Sequence, residues 1–359
     1  MQPYFARVVA FGVIVALVCC AACQGYYDDG DYFFVRNGGA DMPVWVKGNV
    51  ASGRFVVYLH GGPGGSAIAP ALVGQPWLES EVAVAYYDQR HAGIAGGQAD
   101  PSSSSVASFA DDLDVVVGAL RARYRVDSLM LMGTSWGATV GTAYLTLGPE
   151  ASRRRGGVDG WISTFGNHDM HLAFSHLRGR LRDKAAARAA TAAEPAAWRD
   201  CVTWLDAHDT LSSAADWPDL FGCLTLAGNA SAEFDAYPTP PAPELDMMGF
   251  IFRSPAALFP LAMNVGASHA ATALMNELAT DSTLSQTLTD LDVPTLIIHG
   301  RHDLVAPWQV GVFVVDTIAT PQANRRRVVL EHTAHGSFRE QDEADYQAEV
   351  LTFVRDHTE

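Results

Sequence analysis

Short apolar runs alternate along this chain with longer stretches in which apolar residues recur at helical spacing. The runs are 54–59 (Arg-Phe-Val-Val-Tyr-Leu), 82–87, 128–133, 159–164, 295–299 and 327–331. Each is too short for a helix and is followed by glycine or polar residues, so each reads as a strand buried on both faces. Between them lie segments such as 106–124, where Phe109, Leu113, Val116, Val117 and Leu120 form one stripe and Ser105 stands ready to cap the start. Strands alternating with helices imply an α/β fold, a mostly parallel sheet with helices on both faces. Ahead of it, 31–47 reads as a hairpin turning at Asn37-Gly38-Gly39. Between Gly166 and Leu291 the alternation stops. Alanine and helix formers dominate there, and Pro238, Pro240, Pro241 and Pro243 break the pattern. The chain therefore divides into a leader at 1–23, a first part of the core at 24–165, a helical insertion at 166–290 and a second part of the core at 291–359.

At 359 residues the chain can bury a large core, and its 48% apolar and 18% charged residues are those of a folded protein. A net charge of −16 argues against nucleic acid as a partner, because neutralising phosphates takes clustered Lys and Arg. The basic runs Arg153-Arg154-Arg155 and Arg325-Arg326-Arg327 read as solvated residues beside strands. The first residues read as an export signal: Arg7 supplies a thin positive start, and 8–18 is an apolar run too short to span a bilayer comfortably. Ala21-Ala22-Cys23 resembles a bacterial lipobox, although Cys20 stands where leucine is preferred. Two destinations stay open, a lipoprotein attached to a membrane through Cys23 and a freely secreted protein. Once Cys19, Cys20 and Cys23 are assigned to the leader, Cys201 and Cys223 remain. In an exported chain a disulfide between them is expected, with two unrelated buried thiols as the alternative.

The chemistry centres on Gly133-Thr134-Ser135-Trp136-Gly137, which follows the run 128–133 and precedes small and apolar residues at helical spacing. Strand, G-x-S-x-G, helix is the setting of a nucleophile elbow, a turn that lifts the serine hydroxyl clear of its own backbone. Such an elbow expects an acid and then a histidine further along. Asp303 follows the run 295–299 and is the expected acid, ahead of Asp292 on the near side of that strand. After 327–331 two histidines compete. His335, flanked by Ala334 and Gly336, is better placed to be aimed into a cleft, and His332 reads as structural. His60-Gly61-Gly62-Pro63-Gly64-Gly65 after 54–59 lets backbone N–H groups approach a ligand, so Gly62 and Trp136 are the expected oxyanion donors and His60 a loop brace. There is no Lys-Ser or Lys-Thr after these glycines, so a phosphate cradle is a poor alternative. No cofactor and no metal are called for. His168, Asp169 and His171 are the nearest approach to a ligand set and are expected to face solvent at a helix start.

Together these segments resemble the α/β-hydrolase superfamily and, more narrowly, the prolyl iminopeptidase branch of serine aminopeptidases. The narrower resemblance is carried by His60 to Gly65, by Tyr87-Asp88-Gln89-Arg90 and by the tryptophan after Ser135. The family places glycine, a small residue and glycine after Asp-Gln-Arg, where this chain has His91-Ala92-Gly93. The resemblance implies an α/β-hydrolase fold whose insertion is a helical cap over the elbow, shaping the substrate pocket. Trp198, Trp204, Trp217, Phe250 and Phe252 are expected in the core of that cap. Ser135 excludes the aspartate-nucleophile hydrolases on this fold.

Three functions are open. An exported aminopeptidase acting on short peptides would need a cap carboxylate for the free amine, with Glu194, Glu233, Glu244 and Glu277 as sources. A carboxylesterase or lactonase acting on small acyl substrates would use an apolar pocket instead. A binding protein on a hydrolase scaffold is disfavoured, because all three triad residues are present.

Overall fold

The computed structural model describes residues 30–68, 71, 74–193, 195–238, 274, 277, 278 and 283–358. The leader with Cys23, together with Glu194, Glu244, Phe250 and Phe252, lies outside them. One sheet organises the described residues. Its strands are β1 (Asp31–Asn37), β2 (Ala40–Gly48), β3 (Arg54–Leu59), β4 (Ala83–Tyr87), β5 (Gly96–Gly97), β6 (Ser128–Thr134), β7 (Gly160–Thr164), β8 (Thr295–Gly300) and β9 (Arg325–Leu330). They lie in the order β1-β2-β4-β3-β6-β7-β8-β9, with β5 pairing on β2. The pairs from β4 to β9 are parallel, and the β1–β2 hairpin and the β2–β4 pair are antiparallel.

The central strands are apolar throughout because both faces are covered. Phe55, Val57, Leu59, Leu129, Leu131, Trp161 and Ile297 point into one core. Their neighbours Val56, Met130, Met132, Ile162, Leu296 and Ile298 point into the other. This is the two-residue alternation of a strand with both sides buried. Helices α2 (Val106–Arg123) and α3 (Trp136–Thr146) contribute to the first core, and the C-terminal helix Glu340–Asp356 to the second. A four-residue helix α1 (Pro76–Glu79) precedes β4, and α4 (Ala151–Arg155) precedes β7. As expected, Ser105 caps α2, in a reciprocal box with Ser108: Ser108 N–H donates to Ser105 Oγ at 3.2 Å, and Ser105 N–H to Ser108 Oγ at 3.1 Å.

Between β7 and β8 the described residues are helical: α5 (Met170–Thr191), α6 (Ala196–Ala207), α7 (Trp217–Leu226) and α8 (Thr283–Thr287). Helix α9 (Trp308–Thr317) then links β8 to β9, and α10 is the C-terminal helix. A disulfide joins Cys201 on α6 to Cys223 on α7. Among the described residues no helix is long and apolar enough to cross a membrane.

Two expectations need correction. Arg154 is buried rather than solvated, pairing with Asp111 at 2.6 Å across the Tyr144 ring. His168 and Asp169 are buried too. Asp169 caps α5 through Leu172 N–H, and His168 stacks on Phe313 of α9, where burial pushes its pKa down to about 4. No group of potential metal ligands occurs among the described residues.

Candidate active site

Ser135 sits between the end of β6 and the first turn of α3 with φ 55° and ψ −118°, a backbone conformation that a side-chain-bearing residue rarely adopts. The flanking glycines follow from the packing this turn forces. A Cβ on Gly137 would overlap the Leu59 carbonyl at the end of β3, and one on Gly133 would lie 2.7 Å from the Trp161 ring. The G-x-S-x-G spacing is thus a steric requirement of helix α3 starting hard against two strands.

Three loop ends converge on the serine. The loop after β9 brings His335 Nε2 to 3.0 Å from Ser135 Oγ, and His335 Nδ1 lies 2.8 Å from Asp303 Oδ2 in the loop after β8. Asp303 is fully buried, and its other oxygen accepts from the N–H groups of Val305 at 2.7 Å and Ala306 at 2.8 Å. These bonds hold the carboxylate against the imidazole. Burial works against a charged His335, but the charge and hydrogen bond of Asp303 outweigh it and hold the His335 pKa above its ordinary value. Nδ1–H donating to Asp303 leaves Nε2 free to accept from the serine hydroxyl.

The competing residues lie elsewhere. His332 is tied to Asp342 through its own N–H at 2.6 Å and its ring Nδ1 at 3.0 Å. Asp292 pairs with Arg155 at 3.0 Å and is mostly exposed.

The loop after β3 passes directly over Ser135: a Cβ on Gly61 would lie 3.3 Å from Ser135 Cβ. Trp136, first residue of a helix without a side-chain cap, has an N–H that the helix leaves unpartnered. Gly62 and Trp136 border the cavity together with Ser135.

The Asp-Gln-Arg segment after β4 holds this loop and the elbow to one another. Gln89 accepts from the Trp136 indole at 2.8 Å, donates to the His60 carbonyl at 3.1 Å, and gives its backbone N–H to His60 Nε2 at 3.1 Å. His60 must then carry its proton on Nδ1, which donates to the Gly61 carbonyl at 2.7 Å. Asp88 accepts from Ser66, Ala67, Ile68 and Ile94, and Arg90 makes a bidentate pair with buried Asp112 at 2.6 Å. His91 occupies the place of a family glycine and still adopts φ 58°.

A cavity of about 410 Å³ opens over Ser135. The core contributes Pro63, Thr139 and Val305, and the 166–290 segment contributes Asn167, Met170, Trp217, Pro218, Phe221, Leu224 and Leu278. No charged side chain lines it among the described residues. Thr139 donates to the Asn167 carbonyl, while the Asn167 amide is turned onto its own loop, accepting from Asp169 N–H. Trp217 serves both places that the sequence left open, lining the pocket and packing against the core. Trp198 and Trp204 do pack against the main core. Of the candidate amine-binding carboxylates, Glu277 accepts from Val106 N–H at 2.8 Å and Glu233 is exposed on a short turn, and neither borders the cavity.

Residues 55–342 match the profile of the family described as the alpha/beta hydrolase fold. The chain belongs to that family. A probable proline iminopeptidase from Leptolyngbya boryana is 31% identical over 99 residues, a stretch spanning 28% of this chain and only 29% of that protein. Among solved structures, the proline iminopeptidase of Mycobacterium smegmatis superposes with a TM-score of 0.61 at 21% identity, covering 91% of this chain and 99% of that one. An esterase from Exiguobacterium antarcticum gives 0.54 at 20% identity, with 90% and 98% covered. At such identities these likenesses speak for the α/β-hydrolase fold and not for a substrate.

The missed part of the site is the α7 wall. Its signal was present in Trp217-Pro218-Asp219-Leu220-Phe221, aromatic residues at both ends of one helical turn, but nothing in that spacing says which face meets Ser135.

Proposed function

We propose that this α/β hydrolase is a serine hydrolase working by two-step acyl transfer. The observation that carries the reading is the unbroken hydrogen-bonded chain Ser135–His335–Asp303 at the mouth of a cavity. His335 takes the Ser135 proton as the hydroxyl attacks the substrate carbonyl, and Asp303 keeps Nδ1 protonated and offsets the imidazolium charge. The N–H groups of Gly62 and Trp136 receive the developing oxyanion. His335 then protonates the leaving group and activates the water that releases the acyl-enzyme.

On substrate, an aminopeptidase of prolyl iminopeptidase type is favoured by the sequence relatives and by the His60–Gly65 and Asp88–Arg90 segments. An esterase or lactonase is the second reading, favoured by a specific feature: the uncharged, apolar lining of the described pocket. Comparing a prolyl amide with its N-acetyl form separates the two. If a carboxylate binds the free amine, acetylation strands a buried charge and lowers kcat/KM by roughly two to four orders of magnitude. Equal turnover of both would refute the peptidase reading. Export belongs to the proposal as well, supported by the apolar leader and by the Cys201–Cys223 bridge. Mass spectrometry of the mature N-terminus distinguishes a lipid on Cys23 from plain secretion.

A further inference from the structure

We infer that Arg180, on the inserted helix α5, is a positioning residue for Asp303, holding the acid loop where His335 meets it. This rests on the triad reading above. The Arg180 guanidinium donates to the carbonyl oxygens of Arg301 at 3.0 Å and Asp303 at 3.4 Å, the two residues that bracket the turn carrying the acid. The same turn is held a second time by the chain after α7. Ala230 bridges to Asp303 as a short antiparallel pair, Ser231 N–H donates to the His302 carbonyl at 3.1 Å, and Ser231 Oγ lies 2.7 Å from His302 Nδ1. One helical turn beyond Arg180, Lys184 donates to the Ala230 carbonyl and so ties this strap back to α5. The acid loop is therefore held at Arg301, His302 and Asp303 by a segment that contributes no member of the triad.

Arg180 also brings charge. The charged and titratable groups around it are Glu233 from the insertion and Arg301, His302 and Asp303 on the acid loop. Burial lowers the Arg180 pKa, and the negative charges of Glu233 and Asp303 raise it. It remains a cation at any working pH. By Coulomb's law a fixed positive charge beside Asp303 opposes the carboxylate that raises the His335 pKa, so removing it is expected to move the acid limb of nucleophile activation to higher pH.

The test is the second-order rate at which a fluorophosphonate labels Ser135 across pH, with Ser135→Ala as the blank. Arg180→Gln keeps one donor and removes the charge. Labelling is expected to slow about ten-fold or more and the acid limb to rise by roughly half a unit. Arg180→Lys keeps the charge, so its limb stays at the wild-type pH while the rate still falls. A merely structural role would lower the melting temperature without moving the limb. Wild-type rate and limb in Arg180→Gln would overturn the inference. If Arg180→Gln does not fold, Arg180→Lys decides alone: slowed labelling with an unmoved limb at the wild-type melting temperature supports the clamp, and a wild-type rate, or a slowing that comes only with a lowered melting temperature, overturns it. Absence of label on wild-type Ser135 would instead overturn the triad reading, so the two failures are distinguishable.

Discussion

At the scale of single residues, the site depends on positions where geometry leaves little choice. Gly137→Ala would press a methyl group into the Leu59 carbonyl, so it is expected to destabilise the fold by about 1–3 kcal/mol and to displace Ser135, read as a lower melting temperature and lost labelling. The two histidines of the last loop separate in the same way. His335→Ala is expected to lower kcat by at least a thousand-fold. His332→Ala breaks a bond to Asp342 and is expected to cost stability with little change in kcat. Because Asp303 holds the His335 pKa above its ordinary value near 6.5, kcat/KM is expected to fall off as pH drops through a value above 6.5. His168 has the opposite shift and bears on stability. Its pKa of about 4 in the folded chain lies below the unfolded value, so the unfolded state binds its proton first. Its contribution is complete above pH 6.5 and is lost progressively as pH falls toward 4, an effect of roughly 3 kcal/mol. Denaturant unfolding at pH 7 and pH 4.5 should show that His168→Phe, which keeps the stack on Phe313, loses less stability on acidification than the wild type.

At the scale of elements, helix α7 does two jobs. Its Trp217, Pro218, Phe221 and Leu224 wall the pocket, and the chain leaving its C-terminus becomes the strap on Asp303. The Cys201–Cys223 bridge fastens this helix to α6 across a sequence separation of 22, which stabilises by about 3 kcal/mol through the unfolded chain. Reduction, or Cys223→Ser, is therefore expected to raise KM for apolar substrates and to lower the melting temperature, measured side by side in oxidised and reduced enzyme. The strands, the α2 cap and the elbow were all legible in the sequence, because each is decided by residues within one short window. The pocket wall was not. Trp217 belongs to a helix whose apolar residues serve both the core and the cavity, and the spacing alone does not tell one face from the other.

At the scale of the whole molecule, the sheet edge carries the antiparallel hairpin β1–β2, while the central strand β6 carries Ser135 at its end. The Arg90–Asp112 pair ties the loop after β4 to α2 beneath the site. Arg90→Met would leave Asp112 buried with Asn37 as its remaining side-chain partner among the described residues, at a cost of about 3–5 kcal/mol, measured by denaturant unfolding. What the sequence determined by itself was the alternation of strands and helices, its interruption between the strands 159–164 and 295–299, and the strand-turn-helix setting of Ser135. Those features rest on local periodicity and on turns that admit few residue types. Only the tertiary structure decided that His335 and not His332 reaches Ser135, that His168 and Arg154 are buried, and that Arg180 and the 229–231 strap grip the acid loop. Each of these depends on which distant segment packs alongside, and packing between segments far apart in the chain leaves no period in the sequence.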